Sequence, residues 1–78
     1  LDDTHTEGNV VAVECTAAPA TATVAGRDGQ VVVVLLGEAG HACDRIQAGD
    51  YLTADGEKVH EHRFEAYDID IEHGPRQR

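Results

Sequence analysis

The segment from Ile46 to Glu72, IQAGDYLTADGEKVHEHRFEAYDIDIE, constrains the fold more than any other part of the chain. Its last third alternates strictly, with Tyr67, Ile69 and Ile71 set against Asp68, Asp70 and Glu72. Successive side chains of an extended strand point to opposite faces, so this pattern describes a strand with one buried and one solvated side. Upstream, Ala48-Gly49-Asp50 leads into Tyr51 and Leu52, and Asp55-Gly56 reads as a second turn. Phe64 and Ala66 share one parity, whereas Tyr67, Ile69 and Ile71 share the other. The apolar face therefore changes register near Ala66-Tyr67, which is what a β-bulge produces. Bulges bend strands, and bent strands close small barrels.

Strand signals recur at short intervals in the remainder. Asn9 to Cys15 puts Val11, Val13 and Cys15 on one face. Thr16-Ala17-Ala18-Pro19 ends that strand, because proline has no N–H to give to a central ladder. Thr21 to Ala25 resumes, with Ala22 and Val24 facing one way and the threonines the other. Arg27-Asp28-Gly29 is a hairpin signal, since Gly29 can take the positive φ a tight turn needs. Gln30 to Leu36 is apolar on both faces, as for a strand buried on both sides. Gly37 to Arg45 has no helical period and leaves room for one short helical turn. Tyr51 to Ala54 and Lys58 to Glu72 complete the sheet. Leu1 to Glu7 is polar and aperiodic. The expected organisation is a flexible N-terminal segment over 1–7, a β-barrel domain over 8–73 and a flexible tail over 74–78.

Three strands, a connecting segment and two more strands form the order of the OB-fold, a five-stranded Greek-key barrel. The chain resembles small OB-fold-like domains in three places: the first strand after a glycine (Gly8-Asn9-Val10-Val11-Ala12-Val13), the Gly49-Asp50-Tyr51-Leu52 start of the fourth strand, and the closing strand Phe64 to Ile71. The likeness covers roughly residues 8 to 72. It departs from that pattern at residues 37–46, which are too short for the helix that usually joins strands three and four. The Gly-Asp strand start also occurs in SH3-like barrels, which stand as the alternative fold. The resemblance implies a binding surface on strands two and three and their flanking loops. In this chain that surface is Thr21, Thr23, Arg27, Gln30 and the loop around His41 and Arg45.

Composition narrows the partners. Leu, Ile, Val and Phe make up about 22% of the chain, just above the level at which disorder becomes the default. With no Trp, no Met and one Phe, the core must be thin and built from Val, Ala, Leu and Ile. Fifteen acidic residues against six basic ones give a net charge of −9, and Lys58 is the only lysine. That acidic, lysine-poor, alanine-rich balance resembles proteins of salt-loving organisms, in which excess carboxylates keep the surface hydrated. The longest apolar run, Val31 to Leu36, is far short of the ~20 residues that cross a bilayer, so no membrane partner is expected. No basic and apolar leader pattern opens the chain, and no signal peptide is expected within it.

Few constellations carry chemistry. Cys15 and Cys43 can form a disulfide if their Cα atoms lie within about 4.4–6.8 Å; otherwise they are two buried thiols acting as small apolar groups. His41-x-Cys43 and His60-x-His62 have metal-ligand spacing, and together they would make a four-ligand site for zinc or copper. The plainer reading of His60-Glu61-His62 is a polar exposed loop. Asp68, Asp70 and Glu72 place three carboxylates about 7 Å apart along one face, read as a solvated face with weak cation binding as the alternative. The chain has no serine, no phosphate-cradling glycine loop and no nucleophile in a recognisable setting. The expectation is a monomeric, non-catalytic binding or adaptor module without a cofactor, engaging a protein or a small polar ligand. Single-stranded nucleic-acid binding is an alternative that the charge disfavours. A transition-metal-binding accessory domain is another.

Overall fold

Extended segments with alternating burial become five strands in a computed structural model of the protein, which describes residues 3–27 and 29–74. They are β1 (His5–Glu14), β2 (Ala20–Gly26), β3 (Gly29–Leu35), β4 (Tyr51–His60) and β5 (Arg63–Glu72). The strands close into one barrel in the order β1-β2-β3-β5-β4, with β4 returning to β1. Every pairing is antiparallel except β3 with β5, which is parallel from Val32↔Arg63 to Leu35↔Ala66. This all-β barrel is consistent with a small OB-like or SH3-like fold.

Alternation fixes the interior. Val10, Ala22, Val24, Val33, Leu35, Leu52, Ala54, Phe64 and Ala66 point inward and form the core. Thr21 and Thr23 face outward on β2, as the alternation implies, and Gln30 lies exposed on β3. Phe64, Leu35 and Leu52 are the largest fully buried side chains. The connection between β3 and β4 holds two short helical pieces, α1 (Glu38–His41) and a 3-10 turn (Cys43–Arg45). They deliver Ala39, Cys43 and Ile46 into the core cluster. Cys15 and Cys43 form a disulfide with a Cα–Cα distance of 5.8 Å, tying the end of β1 to that connection.

The bulge expected near Ala66-Tyr67 is present. The β4–β5 register jumps from Asp55↔Asp68 to Gly56↔Ala66, so Tyr67 is the extra residue. The bulge turns Tyr67 outward, 55% exposed, while Ile69 and Ile71 pack against the core. Tyr67 therefore does not share their buried face. A second irregularity between Val10 and Ala12 does the same to Val11, which is exposed although Val13 and Cys15 pack inward.

Two boundaries differ from the sequence reading. β1 begins at His5 rather than after Gly8, because His5, Thr6 and Glu7 pair with Asp55, Ala54 and Thr53 of β4. Asp55-Gly56 is not a turn. β4 runs through it to His60, and the turn falls at Glu61-His62. Gly56 is there for close approach: a Cβ at that position would lie 2.0 Å from the Glu65 backbone oxygen. The glycine signal was real, but it marked strand crowding at a bulge rather than a reversal. Of the expected tail, residues 75–78 lie outside the described residues.

Candidate binding cleft

The two ends of the barrel are finished differently. The β3–β4 connection plugs one end with Ala39, Cys43 and Ile46. At the other end the β2–β3 turn, the β4–β5 hairpin tip and the segment leading into β1 surround a cleft of about 230 Å³. Its floor includes Phe64, Val31 and Thr6, which have the inward parity of their strands, so the cleft is the open mouth of the barrel.

Main-chain hydrogen bonds set the rim. The Val32 N–H donates to the His62 carbonyl at 2.9 Å, holding the hairpin tip beside the start of β3. The Lys58 N–H donates to the Asp3 carbonyl at 2.8 Å, and the Gly56 N–H to that of Thr4 at 3.0 Å. These bonds fasten the chain ahead of β1 to β4. The hairpin closes on His60↔Arg63, with Val59 as the extra residue between Lys58↔Phe64 and that pair. A two-residue loop without positive φ splays its strands, and the irregularity at Val59 takes up the mismatch. On the far side, Gly26↔Gly29 closes the β2–β3 turn with Gly29 at φ 126°, as its glycine implied.

The cleft is where the positive charge collects. Arg27, Lys58 and Arg63 line it, leaving Arg45 as the only other basic residue among those described. His5, His60 and His62 line it too, with Asp3 and Glu61 as the acidic members. Among the described residues, none of the three cations is ion-paired with a carboxylate, because every ion pair there involves histidine. His60, His62, Arg27, Lys58 and Arg63 are all exposed.

His5 is committed differently. Its Nε2 is 2.7 Å from a Glu7 carboxylate oxygen and its Nδ1 is 3.0 Å from one of Asp55. The Tyr51 hydroxyl donates to the other oxygen of Glu7 at 2.6 Å. The hydrogen bond to Glu7, then that to Asp55, holds the imidazole pKa above its ordinary value, outweighing partial burial. Both ring nitrogens are engaged, so neither is left to meet a ligand.

The surface expected from the sequence does not assemble in one place. Arg27 reaches the cleft, and Gln30 lies one residue beyond Gly29 on β3. Thr21 and Thr23 are half-buried on the outer face of β2, opposite Val34 and Val32. His41 and Arg45 are exposed in the connection that plugs the opposite end. The sequence reading assigned Lys58 and Arg63 to no site, and it considered His60 and His62 only as metal ligands. Their signal was the basic and histidine-rich run Lys58 to Arg63, masked by placing the turn at Asp55-Gly56.

Other constellations resolve as scaffolding. The four metal-spaced residues do not come together: Cys43 is bonded to Cys15, and His41 and His62 lie beyond opposite ends of the β3–β5 ladder. Among the described residues, no three His, Cys, Asp or Glu side chains are grouped to hold a metal ion. Asp68, Asp70 and Glu72 face outward opposite Asp55, Thr53 and Tyr51, so β4 adds to an acidic sheet face. Asp50 is buried at the start of β4. It accepts from the Gln47 N–H at 3.0 Å and the Gly74 N–H at 3.3 Å, and it lies 3.2 Å from His73 Nδ1. The Gln47 N–H does most to hold its pKa below the ordinary carboxylate value.

No protein-family model, curated protein or solved structure matches this chain.

Proposed function

We propose that the protein is a non-catalytic binding module that engages an anionic group of a polar partner, an acidic protein segment above all, at the open mouth of its barrel. One observation carries the reading. In a chain of net charge −9, three cations without an ion-pair partner among the described residues share a single cleft, where they outnumber the acidic lining residues Asp3 and Glu61. Without a ligand, Arg27, Lys58 and Arg63 raise one another's electrostatic energy, and a bound carboxylate relieves that repulsion.

Size and surroundings favour one acidic group over a nucleotide chain. The cleft is smaller than the ~300–1,000 Å³ of pockets that enclose drug-sized ligands. Single-strand binders stack bases on exposed aromatic rings. Here Phe64 is buried, Tyr51 is bonded to Glu7, and Tyr67 lies outside the cleft lining.

Exposed ion pairs contribute only ~0–1 kcal/mol each, so three contacts to one acidic group give weak binding, with a dissociation constant of ~1 mM or above. Fluorescence anisotropy of a labelled hexaglutamate peptide tests this. The peptide should bind near that affinity, and the double variant Arg27→Ala/Arg63→Ala should weaken it at least ~tenfold. Unchanged binding by the double variant refutes the assignment of the cleft. A labelled oligothymidylate bound below micromolar, and released by Arg27→Ala, would establish the nucleic-acid reading instead.

A further inference from the structure

We infer that the cleft is an acid-strengthened carboxylate site, in which His60 and His62 join Arg27, Lys58 and Arg63 as ligand-facing cations when the pH falls. The inference rests on the binding reading above and adds its regulation. Two of the five histidines sit exposed on the β4–β5 hairpin that forms one wall of the cleft. The Val32–His62 main-chain bond and the His60↔Arg63 pair fix where both are carried. A Cβ added to Gly29 would meet the His62 ring at 3.6 Å, so this imidazole spans from the hairpin tip to the β2–β3 turn. Neither His60 nor His62 has an ion-pair partner among the described residues.

The charged groups around these two rings come from every part of the rim. They are Asp3 ahead of β1, Arg27 from the β2–β3 turn, Lys58 from β4, Glu61 at the tip and Arg63 from β5. His5 on β1 also lines the cleft, but Glu7 and Asp55 occupy both of its nitrogens. With neutral imidazoles the described lining residues carry three cations against two carboxylates. Protonating His60 and His62 raises that to five against two and supplies two new N–H donors. Among side chains, imidazole is the one suited to gain charge between pH 8 and pH 5, whereas arginine and lysine stay charged throughout that range. The site thus has a permanent part and a switchable part.

The test is hexaglutamate binding by the full chain at pH 8 and pH 5.5, in 0.15 M salt to suppress long-range attraction. The wild-type protein should bind about tenfold tighter at the lower pH. In the variant His60→Gln/His62→Gln the ratio of the two affinities should fall close to one, whatever its affinity at pH 8. Equal wild-type binding at both pH values overturns the inference and leaves the cleft reading standing. A gain that persists in the double variant also overturns it, since general charge or His5 would then be the cause. Binding at neither pH removes the cleft reading together with the inference. Far-ultraviolet circular dichroism of the variant at both pH values shows that it remains folded, so that a lost gain reports on the imidazoles.

Discussion

Breaking the Cys15–Cys43 disulfide is the perturbation whose size follows most directly from the structure. The bridge spans 28 residues of sequence and closes β2, β3 and the plugging connection into one loop. In the chain-entropy model a loop of that size restricts the unfolded state by ~3.6 kcal/mol at 25 °C. A chain of this length holds a total stability of about 4–12 kcal/mol, so the bridge is a large share of it. The native state offers few substitutes, because the core contains one Phe and is otherwise built of small aliphatic side chains. Cys43 is also buried, and the turn that carries it places Ala39 and Ile46 in the core on either side. Urea unfolding of the oxidised protein and of the same protein reduced with a phosphine should differ by about 3–4 kcal/mol. The transition of the reduced form should lie at clearly lower urea. A difference below ~0.5 kcal/mol would refute the argument, showing either that the unfolded chain is already compact or that the plug holds without its bridge.

Three further outcomes are expected. Gly56→Ala forces a Cβ to within 2.0 Å of the Glu65 carbonyl oxygen, so it should cost ~2 kcal/mol or more and lower Tm by ~8 °C or more; an unchanged melting curve would contradict the crowding at the bulge. His5→Gln should destabilise most at low pH. The His5 pKa is raised in the folded state, so its contribution is full below the ordinary imidazole value of 6.5 and fades as pH climbs through the folded one. The gap between wild type and variant, measured by thermal melts from pH 5.5 to 9, should therefore narrow with rising pH; a constant gap would contradict the Glu7–His5–Asp55 arrangement. Raising potassium chloride from low salt to 1 M shortens the screening length from ~10 Å at 0.1 M to ~3 Å, and Tm should rise as the carboxylate repulsion behind the net charge of −9 is screened; a flat or falling curve would count against salt adaptation.

The sheet was legible because burial alternates with backbone geometry. Ala22 and Val24 against Thr21 and Thr23 need only period two, and the parity change at Ala66-Tyr67 marks the bulge in the sequence itself. The errors came where one residue type serves two physical purposes. Gly56 looked like a turn and is a close approach. Val11 looked like core and is the extra residue of an irregularity whose partner strand the sequence does not name. The disulfide stood open because residues 28 apart meet only once the barrel is closed. The cleft was the least legible feature. Arg27 is remote in sequence from Lys58 and Arg63 and becomes their neighbour through the β2–β3 turn and the parallel β3–β5 ladder. The OB-like resemblance pointed to strands two and three and their flanking loops, of whose named residues only Arg27 lines the cleft at the end of the barrel.

The central claim is that this mouth receives an anionic group, and its location can be read directly. A two-dimensional amide NMR titration of the ¹⁵N-labelled protein with hexaglutamate at pH 5.5 should shift the signals of Gly26, Arg27, Gly29, Val31, Lys58 and residues 60–64, which line the cleft. Signals from residues 38–48, at the plugged end, should stay in place. Shifts centred on residues 38–48, or on the outer face of Thr21 and Thr23 with the cleft unmoved, would contradict the account.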